Sequence, residues 1–426
     1  MKKDLIITVI TYAFCFLCGI LIFKMAAKDF GPLGFGEYAL VRRAVSFMEP
    51  VLLMGLGVGL PRYIAISSTT KEEAGSRQAA YIIAGYSSVL LFSFLLFAII
   101  NLMPGLFSRA LFGVAGYESY IRIISFLAES TICSSLVFGY YRGNGKFVQA
   151  NLLIACSQGV IPVAALFFIG SLKPVLEVTA AGTFLVSFLF SLPIMKMVLT
   201  HCKGIRLIAP LKELLRYGLA RVPGDISMAG ILALPAFLTS NLFGIKEAGF
   251  VAFGISMVSM VGAIFQPVGL ITLPKLSSIL SEGRHDEART IMQKTIKYTA
   301  IISIVVTFAL LLSAKYLVHY WLGPQFDEAT GVVRLAMLAA VPNALFIALR
   351  SSIDAANIKA VNAGNQYKAL FVSAIAYFMV EAGHLSPSGI PLSFLMGMAV
   401  LSFLTLKVSL STYGLNLQML LVRVRQ

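Results

Sequence analysis

Charge is what this sequence has least of. Only 12% of its 426 residues are Asp, Glu, Lys or Arg, about half the share carried by a typical soluble domain. Hydrophobic residues make up 58%, and the mean hydropathy is +0.87. A soluble fold of that composition could not cover its own surface with polar groups. Acidic residues are scarcest, 19 against 34 basic ones. No Asp-x-Asp pair occurs, and no glycine-rich phosphate loop, which argues against a glycosyltransferase or nucleotide-driven enzyme. The four histidines, His201, His285, His319 and His384, are scattered without metal-ligand spacing, so no metal and no cofactor are expected. Cys15 and Cys18 form a C-x-x-C, but inside an apolar stretch, where small buried side chains are the ordinary reading.

Long uncharged runs are there instead. Residues 79–103, 147–170, 178–195, 226–245, 248–274, 298–314, 335–349 and 388–406 contain no charge. Most reach the ~18–20 residues that cross a hydrocarbon core. They are apolar on every face rather than alternating, so the spans are helices and not barrel strands. The chain is therefore expected to be an all-α, polytopic membrane protein of about twelve transmembrane helices. The expected spans are 5–27, 36–60, 79–103, 117–139, 147–170, 175–199, 215–241, 248–273, 294–314, 331–354, 367–383 and 388–413. The first stretch is too long for a signal-peptide core and is read as a span.

The net charge of +15 does not point to nucleic acid. Its basic residues sit in short loops, and the span pattern puts 21 of them on one side. Five, Lys28, Arg109, Lys173, Lys246 and Lys315, fall on the other. The richer side is the cytoplasmic one, which places both termini inside. The polar segment 274–294, with Glu282, Arg284, Asp286, Glu287 and Arg289, reads as a short cytoplasmic amphipathic helix.

The chain repeats. Phe30-Gly31 recurs as Phe243-Gly244, an offset of 213 (243 − 30), and Gly36, Ala39, Pro61-Arg62 and Asn144 recur as Gly249, Ala252, Pro274-Lys275 and Asn357. Six spans fit within that offset, so the two halves share an orientation. Two six-helix lobes, 1–203 and 204–426, are expected, related by a pseudo-two-fold along the membrane normal and flanking a central cavity. Such parallel repeats are a transporter plan.

Phe30-Gly31-Pro32-Leu33-Gly34-Phe35-Gly36-Glu37-Tyr38-Ala39-Leu40 resembles the first external turn of Wzx-type polysaccharide flippases. Gly55–Tyr63, Phe243–Gly249, Pro274–Ser277 and Tyr320–Ala329 follow the same family's pattern. The resemblance covers nearly the whole chain and is to the multidrug/oligosaccharidyl-lipid/polysaccharide exporter superfamily. It implies a bacterial inner-membrane transporter that flips an undecaprenyl-diphosphate-linked oligosaccharide by alternating access, for O-antigen, lipopolysaccharide or exopolysaccharide synthesis. Membrane lipid, proton or sodium coupling and association with polysaccharide polymerase machinery are the partners it implies. A drug or cation antiporter of the same superfamily is the main rival. A membrane-embedded polymerase or glycosyltransferase is disfavoured by the short external loops.

Ionisable residues at membrane depth are the candidate site, because they are costly unless they face a cavity or a partner. Arg42 and Arg43 lie six and seven residues into the second span, with Lys24 at similar depth on the first. Arg221 lies beside Pro223-Gly224 on the seventh. Arginine suits phosphate, since its planar fork binds two oxygens and keeps its charge. Glu49 and Asp225 are the candidates for ion coupling. Each has an ordinary reading as well. Lys24 can snorkel to the interface, Glu49 can be neutralised by a neighbour, and Arg221 and Asp225 can pair locally, as can Arg350 and Asp354, four apart.

Overall fold

The computed structural model describes residues 2–67, 74–202, 204–357, 360–382 and 389–416. Lys71, Lys203, Lys359, His384, Arg423 and Arg425, used above in reading orientation and histidine spacing, lie outside the described residues. Among those described, every regular element is helical.

The first helix, α1 (Lys2–Leu53), has 52 residues. At ~1.5 Å per residue that is more than twice a ~30 Å hydrocarbon core. It holds two spans, because the backbone leaves the helix at Gly31 (φ 64, ψ −175), where a side chain would be strained. That is the Phe30-Gly31 turn expected from the repeat. A second break follows at Met54 (φ 48) and Gly55 (φ 71), before α2 (Leu56–Ser67).

Next come α3 (Ala74–Leu102), the short α4 (Pro104–Phe112) and α5 (Glu118–Gly143). The fifth span is α6 (Phe147–Ile154), a π-helical turn (Ala155–Val160) and α7 (Ile161–Phe168). The sixth is α8 (Leu172–His201). After it lies α9 (Ile208–Leu219), then α10 (Val222–Phe243), α11 (Ile245–Ser281) and α12 (His285–Tyr316). The chain ends with α13 (Thr330–Met337), α14 (Ala340–Ala356), α15 (Val361–Ala382) and α16 (Ile390–Thr412).

Among the described residues, nine helices are long and apolar enough to cross a membrane, and the bent pair α13–α14 makes a tenth. The other two expected spans are the second half of α1 and α15. The latter is long enough but carries Asn362, Asn365, Gln366, Lys368 and Glu381. Two boundaries differ from expectation. The seventh span starts at Val222 and not at 215, because Ile208–Leu219 is a separate amphipathic helix whose apolar residues had been merged with the span. Segment 274–294 holds no separate helix: α11 and α12 simply extend through it and turn at Gly283 (φ 74).

Two compact units form, Met1–Ile226 and Ser227–Gln426. In the first, α5 is the central helix, packed by α1, α2, α3, α6 and α8, and α9 folds back on α2 and α3. Leu52, Leu56, Leu60, Ile64, Ile132, Leu136, Leu153 and Leu214 fill its core. In the second, α11 and α14 pack along each other, with α12 and α16 against α14. The outward faces are apolar: Leu91, Phe94, Leu95, Leu185, Leu189, Val305, Phe308 and Leu312 are all exposed. In water such faces would aggregate. In lipid they are the solvated surface, and this is a multi-pass membrane protein.

Candidate functional site

The first unit encloses a cavity of about 360 Å³. The kinked helix α1 lines it twice. Cys15, Gly19 and Ile22 come from its first span, and Tyr38, Arg42, Val45, Ser46 and Glu49 from its second. Both sets recur every three or four residues, the spacing of one helix face. Opposite them stand Leu127, Thr131, Ser134 and Ser135 of α5 and Val175, Leu176, Thr179 and Thr183 of α8. The π-helical turn contributes Ser157 and Gln158. Pro162 explains its position: lacking an N–H, it cannot bond the carbonyl of residue 158, and the ladder loosens there. On the turn's other side Gly159 packs against Phe14 and Cys18, which is what the small Cys18 is for.

The walls are polar but nearly neutral. Thr131 Oγ1 donates to the Leu127 carbonyl (2.8 Å) and Thr179 Oγ1 to that of Val175 (2.7 Å), leaving hydroxyl oxygens to accept from a ligand. Two ionisable groups stand in this setting. Arg42 has its guanidinium carbon 5.6 Å from the Phe23 ring and 5.9 Å from the Tyr38 ring. These aromatic faces hold the cation without neutralising it. Glu49, two helical turns along, accepts a hydrogen bond from Ser135 Oγ (2.8 Å).

Of the residues singled out in the sequence, Arg42 and Glu49 are therefore brought together. Lys24 is exposed and is not part of the lining. It lies two residues, about 200°, round the helix from Ile22, which does line the cavity. Arg43, about 100° from Arg42, is half-buried and also outside the lining. Arg221 lies at the junction of α9 and α10, its guanidinium 3.9 Å from the Tyr217 ring and donating to the Tyr217 carbonyl (3.3 Å). Asp225 borders a separate cavity of about 250 Å³, whose lining also includes Glu49 and, at the break after α1, Leu53 and Gly55. Asp354 accepts a hydrogen bond from Asn362 Nδ2 (2.9 Å).

Sequence reasoning missed two features. One is the hydroxyl wall. The other is at the end of this unit that carries the Gly31 turn, where Glu37 accepts hydrogen bonds from the hydroxyls of Tyr117 (2.9 Å) and Tyr120 (2.7 Å). Lys173 stands 5.2 Å from the Tyr120 ring, and Phe112 stacks on Tyr117 at 4.5 Å. This polar knot ties α1, α4, α5 and α8 together.

The fold defines a class of membrane protein. A multidrug resistance MATE family transporter of the MOP superfamily, solved facing inward, aligns with a TM-score of 0.73 at 14% identity, over 95% of this chain and 94% of the other. The lipid II flippase MurJ, in an inward closed conformation, aligns with a TM-score of 0.74 at 14% identity, over 98% of this chain and 89% of that one. A MOP superfamily transporter from Pyrococcus furiosus gives 0.64 at 16% identity, over 97% and 96%. At such identities the likeness is one of fold: the chain has the MOP transporter architecture. No curated protein matches it in sequence. A family model described as polysaccharide biosynthesis protein matches residues 30–331, and the chain belongs to that family.

Proposed function

We propose that this protein flips an undecaprenyl-diphosphate-linked oligosaccharide from the cytoplasmic to the outer leaflet of a bacterial inner membrane, by alternating access, for surface polysaccharide synthesis. The observation that carries the reading is Arg42, a permanent cation at membrane depth facing a hydroxyl-lined cavity, in a chain of a polysaccharide biosynthesis family. Arginine supplies two donors to a phosphate, and the Ser/Thr wall supplies acceptors and donors to sugar hydroxyls. At about 360 Å³ the cavity is at the small end of ligand pockets, so it takes the diphosphate and adjoining sugar while the polyprenyl tail stays in lipid. Glu49, and Asp225 across the helix break, are the groups for proton or sodium coupling. Both termini are cytoplasmic.

Complementation of a flippase-deficient strain tests this. Arg42→Ala combined with Arg43→Ala should leave protein in the membrane near normal and abolish polysaccharide export. A charge-assisted contact contributes roughly 1.5–3 kcal/mol, about tenfold to a hundredfold in binding. Lysine at both positions should restore part of the export. Among single changes Arg42→Ala should cost more than Arg43→Ala. Normal export by the double variant would rule out the phosphate site. The drug-antiporter reading has Glu49 in its favour, a carboxylate suited to a cation. It predicts instead that the chain confers drug resistance on a sensitive strain and that Arg42→Ala leaves that resistance intact. Orientation is checked by single cysteines in a cysteine-free background: one at Arg284 should resist an impermeant reagent in intact cells, and one at Lys173 should react.

A further inference from the structure

Away from the cavity of Arg42 and Glu49, the first unit has a basic recess of about 410 Å³. Ser76, Arg77 and Tyr81 line it from the first two turns of α3, and Gly204, Arg206 and Glu213 from the segment leading into α9 and its first turns. Arg77 and Arg206 are exposed at its mouth. The one carboxylate among its described lining residues, Glu213, already accepts from the Tyr81 hydroxyl (2.5 Å). What remains is two forked cations and a serine hydroxyl on one recess, a set of donors suited to phosphate oxygens.

The helix beside the recess sets its depth. Leu214 and Gly218 of α9 are buried against the first unit, while Ile208 and Leu219 are 83% and 53% exposed. Lys212 and Arg216 are exposed on its polar side. A short helix with exposed apolar side chains, basic residues and one buried edge lies in the membrane–water interface. That is the level of lipid phosphates. We infer that Arg77 and Arg206 form a binding site for the phosphate of an anionic membrane lipid, held between the start of α3 and α9. The site has a structural consequence. Gly218 of α9 lies directly on the Gly55 break, where a Cβ on Gly55 would come within 2.3 Å of the Gly218 carbonyl oxygen. A lipid that clips α9 to α3 therefore also holds α9 on the break that borders Glu49.

The test is lipid binding by the full-length protein in nanodiscs, read by native mass spectrometry and thermal melting, so it does not depend on the transport reading. Phosphatidylglycerol added to phosphatidylcholine should raise the melting temperature and give retained anionic lipid. A charge-assisted contact is worth about tenfold or more in affinity, so Arg77→Ala with Arg206→Ala should weaken retention at least roughly 100-fold. Lys212→Ala with Arg216→Ala, which lie outside the recess, should change it far less. If the two pairs weaken binding equally, the attraction is a diffuse surface effect and the site is overturned. It is also overturned if inorganic phosphate in pure phosphatidylcholine discs protects as well as the lipid does. Should the alanine pair fail to accumulate, Arg77→Lys with Arg206→Lys replaces it. That pair is expected to bind at an intermediate level, and unchanged retention there refutes the proposal.

Discussion

The two halves of the chain use equivalent positions in opposite ways. At the offset of 213 residues, Arg42 and Glu49 of the first half correspond to Ile255 and Gly262 of the second. Thr131, Ser134 and Ser135 correspond to Ala344, Ile347 and Ala348. In the first half these residues line a cavity. In the second, Ile255, Ala344 and Ala348 are fully buried, and a Cβ on Gly262 would meet Asn343 Nδ2 at 2.4 Å and Ile347 Cδ1 at 2.5 Å. Asn343 then donates from Nδ2 to the Val258 carbonyl (3.1 Å), joining α14 to α11. One half has exchanged side-chain volume for close helix packing, as small residues permit in membranes. The other has kept its helices apart around polar groups. At these equivalent positions the second half is closely packed where the first keeps a polar cavity.

Exchanging residues across the repeat should break this comparison most severely. Gly262→Glu forces a carboxylate into the α11–α14 contact. Overpacking alone costs about 1–3 kcal/mol, and burying an uncompensated carboxylate adds more. The variant should fail to accumulate in the membrane. Glu49→Gly, the reverse exchange, loses the Ser135 hydrogen bond and about 1 kcal/mol of helix propensity. It should accumulate, with export reduced. Immunoblots of membrane fractions compare the two, and normal accumulation of Gly262→Glu would show that the second half is not packed as described.

A smaller effect sharpens the same contrast. Asn343→Ala removes a buried interhelical hydrogen bond and should lower stability by about 1–3 kcal/mol in thermal melts. Its counterpart Ser130 donates within its own helix, to the Phe126 carbonyl at 2.8 Å. Ser130→Ala should therefore cost under about 1 kcal/mol. Equal losses would mean that Asn343 does not join helices.

Much of this architecture was legible because charge is so rare in the chain. A charged residue in an apolar run is conspicuous, and Arg42 and Glu49 stood out for that reason. So did the Phe-Gly turns, where glycine's freedom at positive φ is needed. The hydroxyl wall was not legible. Serine and threonine in a membrane helix can satisfy themselves on the preceding turn, as Thr131 and Thr179 do, so their presence carries no sign of a cavity. Lys24 and Arg43 were grouped with Arg42 by depth; neither lines the cavity of the first unit, because one or two residues turn a side chain to another face of the helix. The start of the seventh span was obscured because Leu211, Leu214, Leu215 and Leu219 continue the apolar pattern of the span behind them. The exposed Lys212, Glu213 and Arg216 mark Ile208–Leu219 as an amphipathic helix apart from the span.

The Phe-Gly ends of the halves offer the mildest test. Glu37 in the first half corresponds to Phe250 in the second, and the polar knot of Glu37 with Tyr117 and Tyr120 is replaced by an edge-on contact of Phe250 with Phe326, ring centres 6.1 Å apart. Charge survives there only at the rim, where Lys246 Nζ meets Glu328 at 2.5 Å with side chains 36% and 73% exposed. Tyr120 is buried and its hydroxyl bonds a carboxylate, so Tyr120→Phe leaves Glu37 one donor short at a half-buried position. A loss of about 1–2 kcal/mol is expected, insensitive to salt. Lys246→Ala removes an exposed ion pair and a 5.7 Å contact of the ammonium with the Phe250 ring, and should cost about 1 kcal/mol, falling as ionic strength rises. Melting both variants in low and high salt separates the cases. If Tyr120→Phe behaves like Lys246→Ala, the Glu37 knot is open to water and the two Phe-Gly ends are energetically alike.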